Sequence, residues 1–177
     1  MKLPRWLIPF GLAAVLGWWV SRPSGPSFVR LPGAGFPAPA WQMPDLTGHP
    51  VASSQFTGQV VVLNFWATWC PPCRRELPEL NAFHRDYGGK GLVVLGVNMD
   101  DKAADKDRFV AANPVEFALV RDARHEYVKT IEPKSMPTTL LVDRKGVVRF
   151  VHNGFKGEKT SAAMKAQIEQ LLAEESK

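Results

Sequence analysis

The run VVVLNFW at residues 60–66 passes directly into ATWCPPCRREL, so that Cys70 and Cys73 follow a strand-like segment at once. The seven residues are β-branched, aliphatic or aromatic apart from Asn64 and contain no turn signal, the composition of a strand covered on both faces. A chain carrying such a strand must build a sheet with further layers above and below it. Beyond Trp69, the stretch PPCRRELPELNAFHRDY places Cys73, Leu77, Leu80 and His84 or Tyr87 at helical spacings and is bounded by Gly88-Gly89. This spacing predicts a helix, bent at Pro78. The cysteine pair therefore lies where a buried strand hands over to a helix N-terminus.

These are the chain's two cysteines, which excludes a disulfide-stapled scaffold and a four-cysteine zinc cage. A bridge over three residues constrains almost no loop and contributes little stability. Zinc would need two more ligands, and His49, His84, His125 and His152 show no paired spacing. Redox chemistry fits better. A Cys70 thiolate would feel the positive end of the helix dipole and the cations of Arg74 and Arg75, which makes Cys70 the candidate nucleophile. Cys73, one turn deeper, is the candidate resolving thiol. Pro71 and Pro72 remove two backbone donors that could otherwise stabilise the thiolate, so moderate acidity is expected.

Further along, residues 92–98 (LVVLGVN) predict a second buried strand. Residues 102–112 predict a polar helix with Phe109 and Val110 facing inward. A short strand near 116–120, a helix near 123–131, and strands at 138–143 and 147–152 separated by Arg144-Lys145-Gly146 complete the middle of the chain. A last amphipathic helix at 158–173 has Ala163, Ile168, Leu171 and Leu172 as its apolar side. The alternation predicts an α/β domain with a mixed central sheet and helices on both faces.

The first residues speak to location. Between Arg5 and Arg22 lies WLIPFGLAAVLGWWVS, 16 uncharged residues, about 24 Å long as a helix. That is short for a hydrocarbon core of roughly 30 Å, but arginines at both ends can snorkel and Trp6, Trp18 and Trp19 lie near the ends. Residues 1–22 read as a membrane anchor, or as a signal peptide, although no clear cleavage site follows. Seven prolines with interleaved glycine between 23 and 50 read as an extended tether. The expected organisation is an anchor at 1–22, a Pro/Gly-rich linker at 23–37 and one domain at 38–177. The net charge of +5 does not imply a nucleic-acid partner. Lys2, Arg5, Arg22 and Arg30 precede any acid, which leaves 18 of the 22 basic residues against all 17 acidic ones from Asp45 onward.

WATWCPPC after a hydrophobic strand, with MPTTLLVD some sixty residues later, resembles thioredoxin-fold proteins of the membrane-anchored TlpA/ResA type, related to the DsbE/CcmG proteins. The resemblance spans roughly residues 38–174. It implies a thioredoxin fold carrying a central helix-strand insertion at about 102–122, which plain thioredoxins lack. Thioredoxins place a buried aspartate six residues before the first cysteine, where this chain has Asn64. The TlpA/ResA type instead resembles this chain in having a glutamate three residues after the second cysteine, here Glu76. That glutamate shares a helical stripe with Leu80, Phe83 and Tyr87, which predicts partial burial beside Cys73 and proton exchange with it. The resemblance also implies a cis peptide at Met136-Pro137, set against the cysteines, with Met136 offering backbone hydrogen bonds to an extended client. Trp69, Pro71, Pro72, Met136 and Pro137 are the expected client-contacting residues. Thr138 stands where related haem-lyase-associated reductases usually carry glutamate.

The resulting expectation is a thiol-disulfide reductase, without cofactor or metal, held on the outer face of a cytoplasmic membrane. By resemblance, its clients are an apocytochrome c cysteine pair or a copper-centre assembly protein, and its electrons come from a transmembrane thiol carrier of the DsbD or CcdA kind. A disulfide-donating oxidase would use the same residues. A thiol peroxidase would carry threonine or serine three residues before the reactive cysteine, where this chain has Ala67. A metallochaperone would use the pair as ligands.

Overall fold

The computed structural model describes residues 35–174; the expected anchor and most of the expected linker lie outside the described residues. Among the described residues, no helix is long and apolar enough to cross a membrane. In chain order the elements are β1 (Phe36–Pro37), β2 (Gln42–Pro44), β3 (Pro50–Ala52), β4 (Val60–Trp66), α1 (Pro71–Tyr87), β5 (Leu92–Asn98), α2 (Ala103–Ala112), β6 (Ala118–Arg121), α3 (Glu126–Ile131), β7 (Thr138–Val142), β8 (Val147–Asn153) and α4 (Glu158–Ala173).

Six strands form one sheet in the order β1-β8-β7-β4-β5-β6. β4 runs parallel to β5 and antiparallel to β7, so the sheet is mixed and β4 is central. All seven β4 residues are buried, and because side chains alternate between faces, both faces must be covered. Asn64 reaches Glu76 of α1, whereas Phe65 stacks on Tyr127 of α3 at 5.8 Å. On the α1 face, α4 is tied alongside by Ser161 Oγ to Glu79 at 2.5 Å and Tyr87 Oη to Glu169 at 2.6 Å. The chain is thus a thioredoxin-like fold with helices on both sides.

Two expectations need correction. The stretch 35–50 is not a tether: Phe36–Pro37 pairs with β8, and β2 and β3 form a hairpin. Although rich in proline, it supplies Met43 and Trp41 to the core, and Trp41 packs within 6.1 Å of both Phe56 and Tyr127. The Asp45 carboxylate closes the hairpin by accepting from the backbone N–H groups of Thr47 and His49, so side-chain bonds do the work that longer strands would do. The linker boundary at residue 37 therefore falls inside the sheet. On α4, Met164 rather than Ala163 faces the core, together with Thr160, Ser161, Ile168 and Leu171.

The expected central insertion is α2 with β6. β6 forms the sheet edge parallel to β5, and Phe109 of α2 lies 5.8 Å from the Trp66 ring. Gly96 of β5 makes room for this contact. A Cβ there would stand 2.5 Å from Leu119 Cδ2 and 3.0 Å from Trp66 Nε1.

Candidate active site

β4 ends at Trp66, and a three-residue loop turns the chain into α1 with Cys70 as the helix N-cap. Pro71 and Pro72 occupy the first helical turn, where the absent N–H groups would have no intrahelical partner and the fixed φ suits the helix. The first donor left to the N-cap side chain is the Cys73 N–H, which reaches Cys70 Sγ at 3.3 Å. The two cysteines are joined by a disulfide with Cα atoms 5.3 Å apart. Both are buried in this form, Cys73 completely and Cys70 to 3% exposure. The expected difference in accessibility between the two sulfurs is therefore small while they are bonded. Around the rim, Trp69 is 66% exposed, Pro71 is exposed and Pro72 half-buried.

Beneath the pair, Glu76 is 1% exposed. Helical geometry puts it one turn beyond Cys73. Its two carboxyl oxygens accept from different elements: Oε2 from Asn64 Nδ2 at 2.8 Å and Oε1 from Thr139 Oγ1 at 3.0 Å. Asn64 Nδ2 also donates to Thr139 Oγ1 at 2.8 Å, closing a ring across α1, β4 and β7. Burial pushes the Glu76 carboxyl up to about 7, against the opposing pull of the Thr139 and Asn64 hydrogen bonds. Two neutral donors are too few to offset the loss of water around the charge, so the group can gain or lose a proton near neutral pH.

Sequence reading missed the positive role of Asn64, which marked only an absent aspartate, and did not single out Thr139. Both partners come from distant parts of the chain, 12 and 63 residues from Glu76, where helical spacing carries no signal.

The Met136-Pro137 peptide is cis. Pro137 is buried and Met136 half-buried against the core. Since Thr138 pairs with Phe65 and Thr139 with Asn64, the proline sits at the end of the sheet from which the cysteine loop emerges. The Pro137 carbonyl is occupied by the Gly154 N–H at 2.7 Å. Cys70, Cys73, Glu76, Trp69, Pro71 and Pro72 are thus clustered around one helix start, while Met136 and Pro137 reach the same end of the sheet from β7.

Comparison with known proteins places the chain among thiol-disulfide oxidoreductases. The AhpC/TSA family profile matches residues 34–151. Thiol-disulfide oxidoreductase ResA of Geobacillus kaustophilus is 33% identical over 120 residues, 68% of this chain and 69% of that protein. ResA of Bacillus thuringiensis subsp. konkukian is 33% identical over 138 residues, 78% of this chain and 76% of that protein. Among solved structures, a putative thiol:disulfide interchange protein DsbE from Chlorobium tepidum superposes with a TM-score of 0.76 at 38% identity, covering 79% of this chain and 98% of that one.

Proposed function

The chain belongs to the AhpC/TSA family, in its ResA-like branch of thiol-disulfide oxidoreductases, and from that premise we propose that it works as a reductase of client disulfides outside the cytoplasm. The observation that carries the reading is the buried Glu76, whose carboxyl titrates near pH 7 one turn from Cys73. A reductase must deprotonate its resolving thiol after the mixed disulfide has formed, and a neutral-range acid at that point supplies the base.

In the reduced protein, the Cys70 thiolate attacks one sulfur of the client disulfide. A Cys70–client bond forms, the client S–S bond breaks, and one client sulfur leaves as thiolate. Glu76 then takes the Cys73 proton, and the Cys73 thiolate attacks Cys70 Sγ. This closes the bridge seen here and releases the second client thiolate. Two electrons pass to the client, and a membrane thiol carrier of the DsbD or CcdA kind restores the dithiol. Trp69, Pro71, Pro72 and the Met136-Pro137 segment form the client surface, with Met136 pairing an extended client strand through its backbone. The apolar segment between Arg5 and Arg22 supports an anchor that leaves the domain extracytoplasmic. Apocytochrome c cysteine pairs and copper-centre assembly proteins are the client classes.

The test is twofold. Cys73→Ser, expressed in the native envelope, should accumulate mixed disulfides on Cys70 with the client, identifiable by mass spectrometry. Equilibration of the purified chain with glutathione should give a reducing potential. A potential as oxidising as that of strong disulfide donors, roughly −120 mV, would reverse the assigned direction of electron flow.

A further inference from the structure

Asp100, two residues past the end of β5, is a second buried carboxylate at this end of the sheet, 2% exposed, and the exchange chemistry does not use it. Its oxygens accept the Thr68 N–H at 3.1 and 3.3 Å, the Thr68 hydroxyl at 2.9 Å and the Asn98 amide at 2.8 Å. Thr68 stands in the loop between β4 and α1, immediately before Trp69.

The segment around Asp100 is itself braced. The Met99 N–H donates to the Trp66 carbonyl at 2.9 Å, and the Asp122 N–H donates to the Asn98 carbonyl at 3.1 Å. From the inserted edge strand, Arg121 Nη2 donates to the carbonyls of Asp100 and Asp101 at 3.3 and 2.7 Å. His125 Nε2 lies 3.1 Å from the Met99 carbonyl. The insertion thus holds Asn98, Asp100 and Asp101 through Asp122 and Arg121, and Asp100 in turn holds Thr68.

Trp69 differs from every group in this chain of contacts. It is 66% exposed and has no hydrogen bond or ring contact among the described residues. A side chain with so little packing takes its direction from its backbone, which is pinned one residue earlier by charge-assisted bonds of the stronger kind.

We infer that Asp100 is a positioning residue for client recognition, fixing Thr68 so that Trp69 is presented beside Cys70 to a polypeptide disulfide. The inference rests on the reading of Trp69 as client surface. It also gives the α2–β6 insertion a task, that of supporting the clamp from behind.

The test uses the full chain in detergent, pre-reduced, and follows its single-turnover oxidation by two disulfides. One is a disulfide-bonded peptide with apolar residues flanking its cysteines. The other is hydroxyethyl disulfide, too small to engage Trp69 while reacting at Cys70. Asp100→Ala should slow the peptide reaction by about tenfold or more, within the loss that a misplacement of about 1 Å can cause, and leave the small disulfide's rate unchanged. On a Trp69→Ala background, Asp100→Ala should add nothing, the non-additivity expected of residues acting through one contact. Thr68→Val should act in the same direction with a smaller loss, and Thr68→Ser should restore the rate. This pair carries the comparison if Asp100→Ala does not fold. Equal losses with both disulfides, a full effect persisting without Trp69, or no loss at all would each overturn the inference. If Trp69→Ala itself reacts with the peptide at the wild-type rate, the client reading of Trp69 fails and the positioning role with it. If Trp69→Ala is slow and Asp100→Ala is fast, only the positioning role fails.

Discussion

Trp66 and Trp69 stand three residues apart at the same end of the sheet and belong to opposite sides of the cysteine pair. Trp66 has no exposed surface, ends the central strand and packs on Phe109 over Gly96. Trp69 is 66% exposed and makes no hydrogen bond or ring contact among the described residues. The inner side, with Trp66, Asn64, Glu76 and Cys73, is made of groups whose burial fixes the fold and shifts a proton affinity. The outer side, with Trp69, Pro71, Arg74 and Arg75, is made of groups the fold does not need. One residue type thus fills the core or stands in solvent according to the side of the disulfide on which the backbone places it.

The largest effect is expected at the sulfur between the two sides. Cys70→Ser should abolish disulfide exchange, read as loss of turnover with any disulfide, while denaturant midpoints of the reduced wild type and the variant stay close. Next comes the tryptophan pair itself. Trp66→Ala should cost about 3–5 kcal/mol in urea unfolding, whereas Trp69→Ala should stay within about 0.5 kcal/mol and slow the reaction with peptide disulfides. Equal stability losses would erase the distinction between the sides.

Glu76 sharpens the comparison through pH. Its folded-state value of about 7 lies above the ordinary 4.5, so between these values the folded chain holds a proton that the unfolded chain has released. Stability from this group is complete below about pH 4.5, falls as pH rises to 7 and is level above it. At ~1.4 kcal/mol per pH unit the total is roughly 3 kcal/mol. Glu76→Gln should abolish that decline, so its stability relative to wild type should improve steadily from pH 4.5 to 7. It should also remove the inflection near pH 7 from the rate of mixed-disulfide resolution. A parallel pair of stability curves would contradict the assignment.

Gly96→Ala probes the space behind Trp66. The added Cβ must displace the Leu119 side chain, and overpacking of this kind costs about 1–3 kcal/mol, measurable as a lowered unfolding midpoint. Smallest of all is the exposed Arg85–Glu116 pair at 2.7 Å. Arg85→Ala should change stability by less than about 1 kcal/mol, and still less in high salt.

The inner side was the more legible in sequence. Residues 60–66 and 92–98 are short continuous apolar runs and 71–87 carries a helical repeat, so unbroken hydrophobicity and a period near four located these elements. The stripe through Glu76, Leu80, Phe83 and Tyr87 is buried along its whole length. Sequence could not show what Glu76 binds, because Asn64 and Thr139 reach it only once β4, β7 and α1 are assembled. The segment 35–50 reads as a tether because strands of two and three residues show too little alternation, and their prolines imitate a linker. On α4 the phase of the apolar face was misjudged at Ala163, since small residues are tolerated on either side of a helix and Met164 shares the local pattern. On α2, Phe109 and Val110 are only half-buried, and the buried residue is Lys106. Its ammonium group, although the side chain is almost wholly buried, is paired with the exposed Asp107 carboxylate at 2.8 Å.

The 3% exposure of Cys70 in the bonded form has a kinetic consequence. A sulfur with so little contact with solvent offers few directions of attack, so a small thiol should reduce this bridge more slowly than it reduces an exposed disulfide. Burial of the bridge thus sets a kinetic threshold that the concentration of reductant alone does not remove.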